Sequence, residues 1–189
     1  MLGVCKSGGA VAVQEPDFSF QRCYPYSWAY ERLPDLFGWE RLDNNPNTRN
    51  IVGSGAQLFQ LHQDGKIWRY TGTPCSGDSC PGWQMLDNNT RSKTIVAARN
   101  QLFQMHNDGR IWRYTGTPCS GNSCPGWQML GNNSKTQEIA VYGTHIYQRH
   151  NNGAIWRYTG PECSGNSCPG WRRLDNNPKT KHIAVAGFN

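Results

Sequence analysis

The sequence predicts an all-β fold built from one recurring four-stranded antiparallel unit, and three observations predict it. The hexapeptide IWRYTG occurs at 67–72, 111–116 and 155–160, a constant spacing of 44 residues. Each copy follows a turn dipeptide, Asp64-Gly65, Asp108-Gly109 or Asn152-Gly153. The 189-residue chain is also rich in turn formers and large rings, with 21 Gly, 11 Pro, 8 Trp, 8 Tyr and 6 Phe. Internal repetition has to be settled before any other feature, and a four-stranded unit recurring every ~40–50 residues is the pattern of a β-propeller blade.

Within the middle copy, short apolar or alternating segments fall at Thr94–Ala98, Leu102–Asn107, Arg110–Gly116 and Trp127–Leu130, separated by turn chemistry. Four strands in 44 residues leave no room for a helix. The Asp-Gly dipeptide between the second and third strands suits a two-residue type I′ hairpin, in which both central residues take positive φ. A Ser/Gly/Asn loop bounded by cysteines joins the third strand to the fourth, and Asp87-Asn88-Asn89 or its copies turn into the next unit.

The units span approximately 50–93, 94–137 and 138–181. A first strand recurs four times, near Ile51, Ile95, Ile139 and Ile183, and a fourth strand four times, before Asp43, Asp87, Gly131 and Asp175, but the central hairpin only three times. The expected fold is therefore a single propeller domain of about four blades. Its closing blade is shared between the termini, residues 182–187 supplying strand one and residues 10–43 the rest. Sharing a blade removes free sheet edges. The alternative is an open array completed by a second copy of the chain, a homo-oligomer.

Six of the 8 cysteines recur with C-x4-C spacing: Cys75 and Cys80, Cys119 and Cys124, Cys163 and Cys168. Zinc sites need clustered ligands, whereas these pairs lie 44 residues apart, so local disulfides are expected, with Cys5 and Cys23 as a fourth pair. Disulfides belong to an oxidising compartment, which points to a secreted, extracellular protein. The start MLGVCKSGGA does not read as a signal peptide. Asn88 (NNT) and Asn132 (NNS) match the glycosylation acceptor pattern.

A net charge of +6 with pI near 9.0 invites a nucleic-acid partner, yet the 19 Lys and Arg are dispersed, and none is expected. No apolar window of ~18 residues exists, so no membrane insertion is expected. The Asp-Asn-Asn turns lack the acid density of a calcium loop and read as turn formers, leaving no metal and no cofactor expected. No acidic pair recurs and no G-x-S-x-G context exists, so the chain is not expected to be an enzyme.

A two-residue turn at Asp64-Gly65 would pair His62 with Ile67, Leu61 with Trp68, Gln60 with Arg69 and Phe59 with Tyr70, and paired side chains share a face. One face of each hairpin would then be apolar and aromatic, with Trp68 or Trp112, and in the third copy Arg149 would stack on Trp156. The opposite face would carry Gln60, His62 and Arg69, repeated as Gln104, His106 and Arg113 and as Gln148, His150 and Arg157. These polar groups either brace adjacent blades or, beside the tryptophans, form grooves for polyhydroxylated ligands. Candidate ligand-binding residues are therefore the Gln, His, Trp and Arg of each copy, with Trp68, Trp112 and Trp156 as the rings.

The recurring G-x-I-W-x-Y and P-G-W-x-x-L motifs and the short apolar first strand resemble the Trp-rich repeats of propeller lectins of the tectonin and tachylectin kind, over residues 39–187. The resemblance implies multivalent binding of glycans or glycoconjugates, one pocket per blade or blade junction. The chain departs from those repeats in its C-x4-C staple and in having about four units. The alternative expectation is a protein-interaction or substrate-docking module, as in four-bladed hemopexin-like domains, from a larger secreted protein.

Overall fold

The structure is a computed structural model that describes residues 40–186 and, at the level of the backbone, three N-terminal strands. These are β1 (Gly3–Val4), β2 (Ala10–Gln14) and β3 (Gln21–Pro25), which form an antiparallel sheet in the order β1-β2-β3. They belong to a unit spanning Met1–Arg41, and a second unit spans Leu42–Asn189. The Cys5–Cys23 pairing lies outside the described residues.

The second unit contains three copies of one sheet. The first comprises β4 (Thr48–Ser54), β5 (Gln57–His62), β6 (Ile67–Tyr70) and β7 (Trp83–Asp87). The second comprises β8 (Ser92–Ala98), β9 (Gln101–His106), β10 (Ile111–Tyr114) and β11 (Trp127–Gly131). The third comprises β12 (Thr136–Tyr142), β13 (His145–His150), β14 (Ile155–Tyr158) and β15 (Trp171–Asp175). Every strand is antiparallel to its neighbour in sequence, the meander of a propeller blade. The three expected C-x4-C disulfides, Cys75–Cys80, Cys119–Cys124 and Cys163–Cys168, are formed.

The turn at Asp-Gly differs from the expected two-residue form. Gly65 N donates to His62 O at 3.0 Å and His62 N to Lys66 O at 2.9 Å, so Gln63, Asp64 and Gly65 all lie in the loop. This is a three-residue hairpin in which Gly65 alone takes positive φ, 86°, as Gly109 and Gly153 do at 82° and 81°. A side chain there would also strike the next turn, since a Cβ on Gly65 would sit 2.5 Å from the carbonyl oxygen of Asn89. The two-residue turn with positive φ at both centres falls instead between β8 and β9, at Arg99 (46°) and Asn100 (61°).

One extra loop residue moves the pairing by one. Phe59 pairs with Arg69, Gln60 with Trp68 and Leu61 with Ile67. Side chains alternate across a strand, so the third strand turns over relative to the second. Trp68 joins the face of Gln60 and His62, and Arg69 joins the face of Phe59 and Leu61.

These two unlike faces build the core. Phe59, Leu61 and Ile67 of the first sheet pack with Ile95, Leu102, Tyr114 and Trp127 of the second. Phe103, Met105 and Ile111 of the second pack in the same way with Ile139, Ile146, Tyr158 and Trp171 of the third. Each outer strand is tied backwards: Trp127 Nε1 donates to Leu86 O at 2.9 Å, and Trp171 Nε1 to Leu130 O at 2.7 Å.

The strand expected at 182–187 is not formed by its described residues, since 176–186 carry no strand. Ile183 N instead donates to Glu138 Oε2 of β12 at 3.2 Å. A first strand is held by the second strand that pairs with it, and no β-partner joins residues 182–186. The β1-β2-β3 sheet is made of N-terminal strands, and residues 15–20, 26–39 and 187 of the expected closing blade lie outside the described residues.

Candidate functional site

The register brings Gln, His and Trp of each copy together and removes Arg from them. Gln60, His62 and Trp68 share one face, as do Gln104, His106 and Trp112, and Gln148, His150 and Trp156. The histidine and tryptophan rings lie side by side, with centroids 5.8, 5.7 and 5.5 Å apart. The arginines point to the opposite face. Arg69 Nη2 donates to Gln84 Oε1 at 2.5 Å, and Arg113 Nη2 donates to Gln128 and, at 2.6 Å, to Glu162. Arg157 pairs across the sheet with Arg172 and has a buried Nε without a partner. Arg149 does not stack on Trp156 either; it donates to Glu138 Oε2 at 3.0 Å, and Arg173 lies 6.0 Å over the indole instead.

In the junction between the second and third sheets these residues line a cavity of about 260 Å³. Gln148, His150, Trp156 and Trp171 come from the third sheet, and Gly131, Asn132 and Asn133 from the end of the second, with Cys168 and Pro169 at the disulfide loop. Thr136 Oγ1 donates to Gln148 Oε1 at 2.7 Å, which fixes the amide and leaves its nitrogen end as a donor. His150 Nε2 and Trp156 Nε1 are buried without hydrogen-bond partners, and the same two atoms lack partners in the other copies, at His62 and Trp68 and at His106 and Trp112. Buried polar atoms are rarely left unpaired, so an identical pair orphaned three times marks a designed feature.

Burial lowers the pKa of His62, His106 and His150 below the ordinary 6.5, which keeps the rings neutral at pH 7. At His62, Asn45 Nδ2 lies 3.3 Å from Nδ1; an amide donor there makes Nδ1 the acceptor and leaves the proton on Nε2. In that copy an indole N–H and an imidazole N–H lie on one face with the Gln60 amide.

The rim is built by the Asp-Asn-Asn turns. Asn88 Nδ2 donates to Asn122 O at 3.0 Å and Asn132 Nδ2 to Asn166 O at 2.5 Å, clamping the disulfide loop of the sheet that follows. Asn89 and Asn133 each cap a backbone N–H two residues on, at 2.9 and 3.0 Å. Both acceptor-pattern asparagines, Asn88 and Asn132, therefore hold loops in place. Sequence reasoning missed Trp171, Gly131, Asn132, Asn133, Cys168 and Pro169 as lining residues. The signal was present, since P-G-W and the Asn pair recur in every copy and Gly131 breaks an otherwise repeated Asp.

Among the described residues no group of three or more His, Cys, Asp or Glu converges as a metal site, and no helix is long and apolar enough to cross a membrane. No known family matches the sequence, and no curated protein does. Among solved structures the chain is similar to Prp20p from Saccharomyces cerevisiae, described with its binding to Gsp1p and histones, at 15% identity and a TM-score of 0.46. That similarity covers 70% of this chain and 39% of Prp20p, so the chain spans about two fifths of that protein. The likeness to tectonin and tachylectin repeats rests on the sequence motifs alone.

Proposed function

We propose that the protein is a secreted, non-catalytic carbohydrate-binding protein whose sites lie between successive sheets. The observation that carries this reading is the recurrent set of buried, unpartnered His Nε2 and Trp Nε1 atoms beside a fixed glutamine amide. A sugar hydroxyl accepts such N–H donors, while the C–H face of the ring lies on indole. The cavity of about 260 Å³ is below the roughly 300–1,000 Å³ of sites for drug-sized ligands and suits one sugar ring. Three disulfides support an oxidising, extracellular setting.

A printed glycan array, followed by agglutination with free-sugar competition, tests the proposal. Changing Trp68, Trp112 and Trp156 together to Phe keeps the rings and deletes the N–H donors; we expect binding to weaken about tenfold or more. Absence of array binding, with a protein captured instead, would overturn the carbohydrate reading in favour of a docking module. Agglutination of cells requires more than one site per particle, which multivalency within the chain or association of chains would supply.

A further inference from the structure

The two described junctions between sheets differ at the residue that closes the outer strand, Asp87 in the first and Gly131 in the second. In the first, Asp87 closes β7 and its side chain is buried, at 5% exposure. Gln104 Nε2 donates to Asp87 Oδ2 at 2.6 Å, and Ser92 Oγ donates to Gln104 Oε1 at 2.6 Å, so both ends of that amide are satisfied within the chain. Asn89 N donates to the other carboxylate oxygen, Oδ1, at 3.1 Å. The carboxylate therefore sits where the site's glutamine would meet a ligand. In the second junction Gly131 occupies the matching place, Gln148 keeps its Thr136 partner, and the cavity of about 260 Å³ opens beside it.

Resting on the carbohydrate reading above, we infer that the residue closing each outer strand decides whether the following junction takes a sugar. Asp87 fills its own junction as an internal ligand, and Gly131 opens the next to one neutral sugar ring. A carboxylate there offers acceptors to Gln104 that a bound hydroxyl would otherwise supply. Without it, the nitrogen end of the Gln148 amide is left to donate to a hydroxyl or carbonyl oxygen of the sugar. Asp43 stands at the corresponding place before β4, and its Oδ2 accepts from Thr48 Oγ1 at 3.3 Å. Among the described residues one junction is thus open at this place, and Asp43 and Asp87 hold the acidic residue there in the other copies.

Exchange at this place tests the inference and asks Trp171 to give by only a few tenths of an ångström. Gly131 does not take positive φ, and a Cβ added to it would come no nearer than 3.2 Å, to Trp171 Nε1. The repeat already holds Asp at this place in its other copies, so Gly131→Asp is expected to fold, with an unchanged circular dichroism spectrum.

The experiment is isothermal titration of the full chain with a panel of neutral hexoses and N-acetylhexosamines. The wild type is expected to bind one sugar per chain. Gly131→Asp should weaken binding about tenfold or more, since its carboxylate competes for the Gln148 amide. Asp87→Gly should raise the stoichiometry from one to two. Two or more sugars per wild-type chain, or equal affinity in wild type and Gly131→Asp, would overturn the inference while leaving carbohydrate binding intact. A wild type that binds no member of the panel and no arrayed glycan overturns both. Should Gly131→Asp fail to fold, the stoichiometry of Asp87→Gly decides alone.

Discussion

Trp127 Nε1 donates to the carbonyl of Leu86 at 2.9 Å, binding the outer strand of one sheet to the outer strand of the sheet before it. The bond recurs at Trp83 with Leu42 and at Trp171 with Leu130, each at 2.7 Å. Trp127→Phe removes the donor while keeping an aromatic ring against Tyr114. A net loss of about 1–2 kcal/mol is expected, measured as a lower urea midpoint with unchanged slope.

Ile111 and Leu86 are fully buried where two sheets meet, at 0% exposure. Either one changed to Ala leaves a void that rigid sheets cannot collapse around, and about 2–5 kcal/mol of stability should be lost. The shorter step Ile111→Val should cost about 0.5–1.5 kcal/mol. Chemical denaturation of the purified variants checks both values.

Acid should weaken the fold through its histidines. Burial depresses the pKa of His62, His106 and His150 below 6.5, so the unfolded chain binds more protons than the folded one between the folded value and 6.5. Their stabilising contribution is complete above pH 6.5 and is lost as pH falls below it. Asp87 works the other way at lower pH, because burial raises its carboxyl above 3.8 despite the bond from Gln104. Its contribution is greatest below 3.8 and declines as pH rises through the folded value. Thermal melts from pH 7.5 to 5 should show a falling midpoint, with a shallower slope in His106→Gln.

Each disulfide closes a loop with a sequence separation of 5. Loop entropy for a ring of that size is worth about 2 kcal/mol. Replacing Cys119 and Cys124 together by Ser should lower stability by up to about that amount, read from equilibrium unfolding under non-reducing conditions. Strand content should survive, because Ser120 and Ser123 already exchange backbone hydrogen bonds at 2.9 and 3.1 Å.

The three 44-residue copies, the four strands in each, the C-x4-C staples and the Asp-Asn-Asn turns were legible, because each depends on residues close in sequence. The face assignment was not. Asp-Gly fits both a two-residue turn and a three-residue loop ending in a positive-φ glycine, and one residue of difference transfers Trp68 and Arg69 to opposite faces. Gln60, His62 and Trp68 survived that change as a cluster because the tryptophan came to the other two. The Asp-to-Gly difference at 131 was visible in the repeat, but its effect depended on which side chain stood across the junction, and that required the register.

The unlike faces of each sheet give the stack a direction. A face of Phe, Leu and Ile always receives a face of Trp and Tyr, so the modules couple head to tail and never head to head. On the leading surface of the third module, Arg149 stands where Met105 stood and Arg172 where Gln128 stood. Leu174 is 50% exposed where Leu86 and Leu130 are sealed at 0% and 1%. Such a surface keeps the shape of a coupler, but a further identical module would have to bury the Arg149–Glu138 pair and Arg172 there, and that desolvation cost opposes propagation of identical modules into a fibre.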